Sequence, residues 1–225
     1  MRGPRVKVCC IESVEEARLA IAAGADALGL VSAMPSGPGV ISEELIRTIA
    51  TGAPPPVATF LLTCLTDADA IIAQHGRCLT SVIQLVAAVA PAQVRRVRAA
   101  LPSVKLVQVV HVTGSEALEA AREAAETADA LLLDSGRPCA AVPELGGTGR
   151  THDWGVSRRI AAAVTVPVFL AGGLRAENVA AAVAAVGPFG VDVCSGVRTG
   201  GRLDPTKLVA FLTAARGGPG GAAGQ

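Results

Sequence analysis

Eight short apolar runs alternate strictly with eight Ala-rich runs of helical spacing, from one end of the chain to the other, and nothing else in the sequence restricts its fold as much. The apolar runs read as strands over 6–11, 25–31, 57–62, 81–85, 105–110, 130–134, 166–171 and 190–195. Helices are expected between them, over 14–23, 43–50, 67–74, 91–100, 115–126, 155–163, 176–186 and 205–215. Strands buried on both faces lose the polar alternation of a half-exposed sheet, and these runs are continuously apolar. Strict alternation favours parallel strands, and eight such units close a barrel. The expectation is an α/β fold, a single-domain (β/α)8 TIM barrel over residues 1–216, followed by a Gly/Ala-rich tail over 217–225 that reads as disordered.

Local signals agree with this spacing. Ser13-x-x-Glu16 has the form of a capping box, Thr113-x-x-Glu116 is a second candidate, and Ser42 precedes Glu43 and Glu44. Pro91 and Pro205 stand at first helical positions. The Ala-Pro-Pro-Pro run at 53–56 reads as a stiff connection from helix to strand. A doubly wound sheet would want a Gly-rich fingerprint after its first strand. Here that position reads Cys9-Cys10-Ile11-Glu12, and the Gly-rich segments follow the sixth, seventh and eighth strands. A barrel often binds phosphate after its last two strands, so the distribution favours the barrel.

Composition removes several classes of partner. The chain is 51% hydrophobic with a formal net charge of +1, which suits a large core and gives no electrostatic reason to bind nucleic acid or an acidic membrane. Only 2% of residues are aromatic and none is Tyr, so stacking platforms for single-stranded nucleic acid are not expected. No apolar run has the length of a membrane span and the N-terminus lacks a signal-peptide core, which implies a cytoplasmic protein. The six cysteines form no CxxC pair and no metal-ligand spacing with His75, His111 or His152. Free thiols and no metal are expected.

The functional face of a barrel is the C-terminal end of its strands. Gly172 and Gly173 follow the seventh apolar run, and Ser195 and Gly196 follow the eighth. Glycines let the backbone approach an anion and point N–H groups at it, although tight turns alone also require them. Gly146-Gly147-Thr148-Gly149 has the composition of a lid or of a plain surface loop, and Arg150 beside it is either an anion contact or a solvated side chain. Asp134 closes Leu131-Leu132-Leu133. Burial there would raise its pKa toward that of a general acid, and the alternative is a loop carboxylate. Cys9 ends a similar run. It is a candidate base whose thiolate Lys7, of the same strand parity, would favour; a buried inert thiol is the alternative.

These residues together resemble the phosphoribosylanthranilate isomerase family. The resemblance rests on Lys7-Val8-Cys9, on Gly24-Ala25-Asp26-Ala27-Leu28-Gly29, on Leu132-Leu133-Asp134, on Gly146-Gly147-Thr148-Gly149 followed by Asp153-Trp154, on Leu170-Ala171-Gly172-Gly173-Leu174 with Glu177-Asn178-Val179, and on 190–197. It implies an Amadori rearrangement of a phosphoribosylamine to a 1-amino-1-deoxyketose phosphate, in tryptophan biosynthesis. Asp134 would be the general acid and Cys9 the general base. Lys7, Gln84, Gly147 and Asp192 would contact substrate, and the backbone of Gly172, Gly173, Ser195 and Gly196 would hold the phosphate. The resemblance implies no metal and no organic cofactor, a small phosphorylated sugar as the partner, and a monomer or homodimer.

The chain also departs from the family pattern. The loop after the second strand reads Gly37-Pro38-Gly39-Val40-Ile41-Ser42, with Gly39 where the family arginine faces the anthranilate carboxylate. Val86 replaces a histidine at the end of the fourth strand, Cys10 replaces a glycine, and Arg198 follows Val197 where the family has an acid. The changes fall on the amine side, so a different phosphoribosylated amine is an alternative substrate. Arg47, Arg150, Arg175 or Arg198 would then be replacement cations, and His111 a replacement imidazole. A condensing or aldol-type phosphate barrel, as in thiamine-phosphate synthases and small aldolases, and a non-catalytic phosphate-binding barrel are the remaining alternatives.

Overall fold

The computed structural model describes residues 3–35, 37–136 and 152–217. Eight parallel strands form a closed barrel in sequence order: β1 (Arg5–Val8), β2 (Ala27–Val31), β3 (Ala58–Thr63), β4 (Val82–Leu85), β5 (Lys105–His111), β6 (Ala130–Asp134), β7 (Val168–Leu170) and β8 (Gly190–Val193). The helices that return the chain are α1 (Val14–Ala23), α2 (Glu43–Gly52), α3 (Ala68–Cys78), α4 (Pro91–Ala100), α5 (Ala117–Ala125), α6 (Trp154–Ala163), α7 (Val179–Val186) and α8 (Pro205–Ala215). A short hairpin of β9 (Arg198–Thr199) and β10 (Arg202–Leu203) precedes α8. The barrel closes where β1 pairs with β8, Lys7 beside Asp192 and Val8 beside Val193.

Strand parity divides the core in two. Val6, Val8, Leu28, Leu30, Leu61, Leu131 and Val191 face outward and pack under the helices. Ala27, Phe60, Leu62, Val107, Val109, Leu132 and Phe169 face inward and fill the barrel. Two of the five aromatic residues lie inside: Phe60 and Phe169 meet edge to face with ring centres 6.0 Å apart. A Cβ on Gly190 would lie 2.6 Å from the Phe169 ring, so the bare backbone of β8 makes room for it.

Local chemistry sets the element ends. Ser13, Ser42, Asp67, Asp153 and Asp204 cap α1, α2, α3, α6 and α8 with side-chain oxygens that accept backbone N–H groups. The box at Ser13 is half formed. Its hydroxyl accepts from the Glu16 N–H, but the Glu16 carboxylate accepts from the Glu12 and Leu203 N–H groups and binds Arg198. The Thr113 box does not cap: the Thr113 hydroxyl donates to Glu116 at 2.8 Å, and α5 begins after it with no side-chain cap. Helix α3 runs on past Gln74 to Cys78 and stops at Leu79, which takes the left-handed conformation with φ 58°. Helix α7 starts three residues later than the apolar pattern, because the Asn178 side chain is occupied by the preceding loop, accepting from the Arg175 N–H and donating to Gly173. The expected first strand over 6–11 ends at Val8, and Cys10 turns the chain with φ 60°. Among the described residues no helix is long and apolar enough to cross a membrane.

Candidate active site

The C-terminal ends of the strands open into one cavity of about 730 Å³, mouth included. Cys9, Gln84, Asp134, Asp192, Gly172, Gly173 and Ser195 all lie on its wall. The barrel brings these sequence candidates together from positions far apart in the chain. Lys7 lies one pleat below Cys9, fully buried, and does not line the cavity. Gly196 is packed behind the wall, where a Cβ would lie 2.0 Å from the Leu174 carbonyl oxygen. Gly147 and the rest of its glycine loop lie outside the described residues, as does Arg150.

The floor is electrostatically ordered. The Lys7 ammonium is 2.9 Å from Asp192 and 5.3 Å from the centre of the Phe60 ring. Burial alone would push this ammonium down, but the Asp192 carboxylate and the neighbouring Cys9 outweigh it and keep Lys7 charged. Cys9 follows β1, its N–H donating to Val193 at 2.8 Å. A Cβ on Gly29 would lie 2.7 Å from the Cys9 sulfur and 3.0 Å from Lys7 Nζ, so the space for both groups exists only because β2 carries glycine there. The Cys10 thiol, donating to Cys9, is the largest influence holding Cys9 below the usual thiol range. Burial and Asp192 oppose it, and Lys7 assists.

Asp134 is the last residue of β6 and is buried. Burial pushes its carboxyl up to about 6; the Ser135 N–H, donating at 2.7 Å, restrains the rise and the charge of Asp192 adds to it. The wall therefore holds a thiol shifted toward its anion and a carboxyl shifted toward its acid, which is the pairing that acid–base catalysis near neutral pH requires. Gln84 on β4 is buried with its side-chain oxygen unpartnered among the described residues, so it can accept from a ligand hydroxyl.

One side of the cavity is backbone. Gly172 and Gly173 take φ values of 84° and 61°, which only glycine adopts freely, and Asn178 holds that turn in shape. The peptide N–H groups of Gly172, Gly173, Ser195 and Gly196 donate to no backbone carbonyl among the described residues. Peptide N–H groups left without a backbone acceptor at a glycine turn are the kind of donor that can hold an anion. His152 stands behind Gly172. Its Nε2 is 2.7 Å from the Ser157 hydroxyl, and burial pushes the ring down to about 4, so it is neutral.

Of the cations considered as replacements for the family arginine, Arg198 and Arg175 are engaged elsewhere. Arg198 is tied to Glu16, to the Cys10 carbonyl and to the Gly201 carbonyl, with 7% of its side chain exposed. Arg175 pairs with Glu177 at 3.4 Å, and Arg47 is exposed on α2. Position 39 admits no side chain: with φ 80°, a Cβ there would lie 2.5 Å from the Cβ of Cys10. His111, in register beside Asp134, turns its Nε2 toward the Val86 carbonyl at 3.4 Å, and burial lowers its pKa. It lines a neighbouring groove rather than the cavity. Sequence reasoning had no role for Cys10 or for the clearance at Gly29. The signal for Cys10 was its position, since a residue standing in place of a glycine inherits that glycine's backbone conformation.

A family model for N-(5'-phosphoribosyl)anthranilate isomerase matches residues 6–214. The N-(5'-phosphoribosyl)anthranilate isomerase of Haloferax volcanii is 40% identical over 219 residues, covering 94% of this chain and 93% of that protein. The crystal structure of the Thermotoga maritima phosphoribosyl anthranilate isomerase superposes with a TM-score of 0.82 at 30% identity, covering 95% of this chain and 99% of that one. A phosphoribosyl anthranilate isomerase in complex with reduced 1-(o-carboxyphenylamino)-1-deoxyribulose 5-phosphate superposes with a TM-score of 0.79 at 27% identity, with the same coverage.

Proposed function

The chain belongs to the N-(5'-phosphoribosyl)anthranilate isomerase family, and on that premise we propose how its own residues carry out the reaction. It is an aldose–ketose isomerase of tryptophan biosynthesis. Asp134 donates its proton to the furanose ring oxygen, the bond from that oxygen to C1 breaks, and the amine nitrogen lone pair forms a Schiff base. Cys9, as thiolate, takes the proton from C2 to give an enolamine, which tautomerises to the 1-amino-1-deoxyribulose 5-phosphate. Atoms are conserved throughout, so an acid, a base and a water-poor cup suffice. The amides of Gly172, Gly173, Ser195 and Gly196 anchor the phosphate, and Gln84 and Asp192 contact the sugar. Lys7 holds Asp192 in place and supplies positive charge beneath Cys9.

The observation that carries this reading is that Cys9 and Asp134 line one cavity, with the thiol lowered and the carboxyl raised to about 6. Purified protein should convert phosphoribosylanthranilate at about 1–10³ s⁻¹. Cys9→Ala and Asp134→Asn should each reduce kcat by about 10²–10⁴-fold with folding intact. Full activity in the double variant would remove both assignments.

A second reading concerns the amine. The same rearrangement on a phosphoribosylamine without a carboxylate is favoured by position 39, where no guanidinium can stand. A kcat/KM for such an amine above that for phosphoribosylanthranilate would support it, and the reverse order would dismiss it.

A further inference from the structure

Two cysteines that the acid–base scheme does not use meet at the seam of the barrel. The sulfurs of Cys10, in the β1–α1 loop, and Cys194, after β8, lie 2.8 Å apart. That is inside van der Waals contact and less than about 1 Å beyond the length of a disulfide bond. Both residues line the cavity. Cys10 is buried and Cys194 is partly exposed, so one thiol of the pair can be reached from solvent. The two belong to the first and last strand units, whose contact along β1 and β8 closes the barrel without any covalent link.

We infer that Cys10 and Cys194 are a modification site at which a hydroperoxide forms a disulfide that locks the barrel seam. The Cys194 sulfur attacks the peroxide, the O–O bond breaks, and water or an alcohol leaves, giving a sulfenic acid. The Cys10 sulfur then attacks Cys194, the S–O bond breaks, and hydroxide leaves to take the Cys10 proton as water. Two thiols are oxidised by two electrons and one peroxide is reduced. Because the cross-linked residues stand 184 positions apart, the bridge encloses most of the chain and restricts the unfolded state strongly. The inference does not depend on the catalytic roles given to Cys9 and Asp134.

The test treats the reduced full-length protein with a small excess of hydrogen peroxide, blocks remaining thiols by alkylation, and locates each modification by tandem mass spectrometry. A peptide containing Cys10 joined to one containing Cys194 is expected. Tm should rise by at least about 5 °C, and dithiothreitol should reverse both changes. Cys194→Ser should lose the cross-link and the Tm rise. Recovery of Cys9 as the oxidised residue, with Cys10 and Cys194 still alkylated, would overturn the inference. So would a cross-linked protein whose Tm had not risen.

Discussion

Gly39 and Cys10 occupy each other's space: a Cβ at position 39 would lie 2.5 Å from the Cβ and 2.8 Å from the Cα of Cys10. The two departures from the family pattern are therefore sterically coupled: the Cys10 side chain fills space that a side chain at position 39 would need. Restoring the arginine alone, Gly39→Arg, should destabilise the protein by about 1–3 kcal/mol through overpacking. Adding Cys10→Gly should recover part of that loss, so the double variant costs less than the two singles together. Denaturant melts of the four proteins check this, and strict additivity would show that the two positions are independent.

The Lys7–Asp192 pair is buried at both ends, its side chains 0% and 9% exposed. Removing one partner leaves the other charge desolvated, so Lys7→Met and Asp192→Asn should each destabilise by about 3–5 kcal/mol. The double variant should recover much of that cost. A double-mutant cycle measured by urea unfolding checks it, and a coupling near zero would mean that water reaches the floor of the barrel.

The barrel was legible because its determinants are local and repeated. Continuous apolar runs, Pro91 and Pro205 at helix starts, and Ser13 and Ser42 as caps each fix one unit, and eight units close in one way. The positions of Cys9, Asp134 and Asp192 at the cavity followed from their places on the strands. What escaped the sequence depends on contacts across the barrel. Nothing local to Gly29 indicates that it clears space for a sulfur and an ammonium from β1. Nothing local to Cys10 or Cys194 indicates that their sulfurs meet. Lys7 has the parity of Cys9, but its full burial beneath the cavity is set by Asp192 on the opposite end of the chain. The end of α3 and the start of α7 were missed because Leu79 carries no stop signal and Asn178 spends its side chain on a loop.

Gly29 offers a direct test of the clearance. Gly29→Ala places a methyl group 2.7 Å from the Cys9 sulfur and 3.0 Å from Lys7 Nζ, in a strand whose backbone cannot retreat. Cys9 should be displaced, with kcat falling by about 10²-fold, since an error near 1 Å at a reacting group costs that much. Steady-state kinetics beside a thermal melt check this. Unchanged kcat would show that the thiol has freedom the packing does not suggest.

Asp134 links activity to stability with opposite signs. Burial pushes its carboxyl up to about 6 in the folded protein, against 3.8 for an unperturbed aspartate. As general acid it must be protonated, so the alkaline limb of kcat/KM should turn down above about pH 6. For stability, the folded state binds the proton more tightly than the unfolded state. The contribution is therefore present below pH 4 and is lost as pH rises through the folded pKa, by about 3 kcal/mol in all. Asp134→Asn keeps an oxygen for the Ser135 N–H and removes the buried charge. The variant should lose turnover, yet melt about 5–10 °C higher than the parent at pH 8 and show no such gain at pH 4. Melting curves of both proteins at the two pH values decide it: a variant less stable than the parent at pH 8 would mean that the carboxylate is stabilised where it stands, and Asp134 would then be too acidic to give its proton to the sugar.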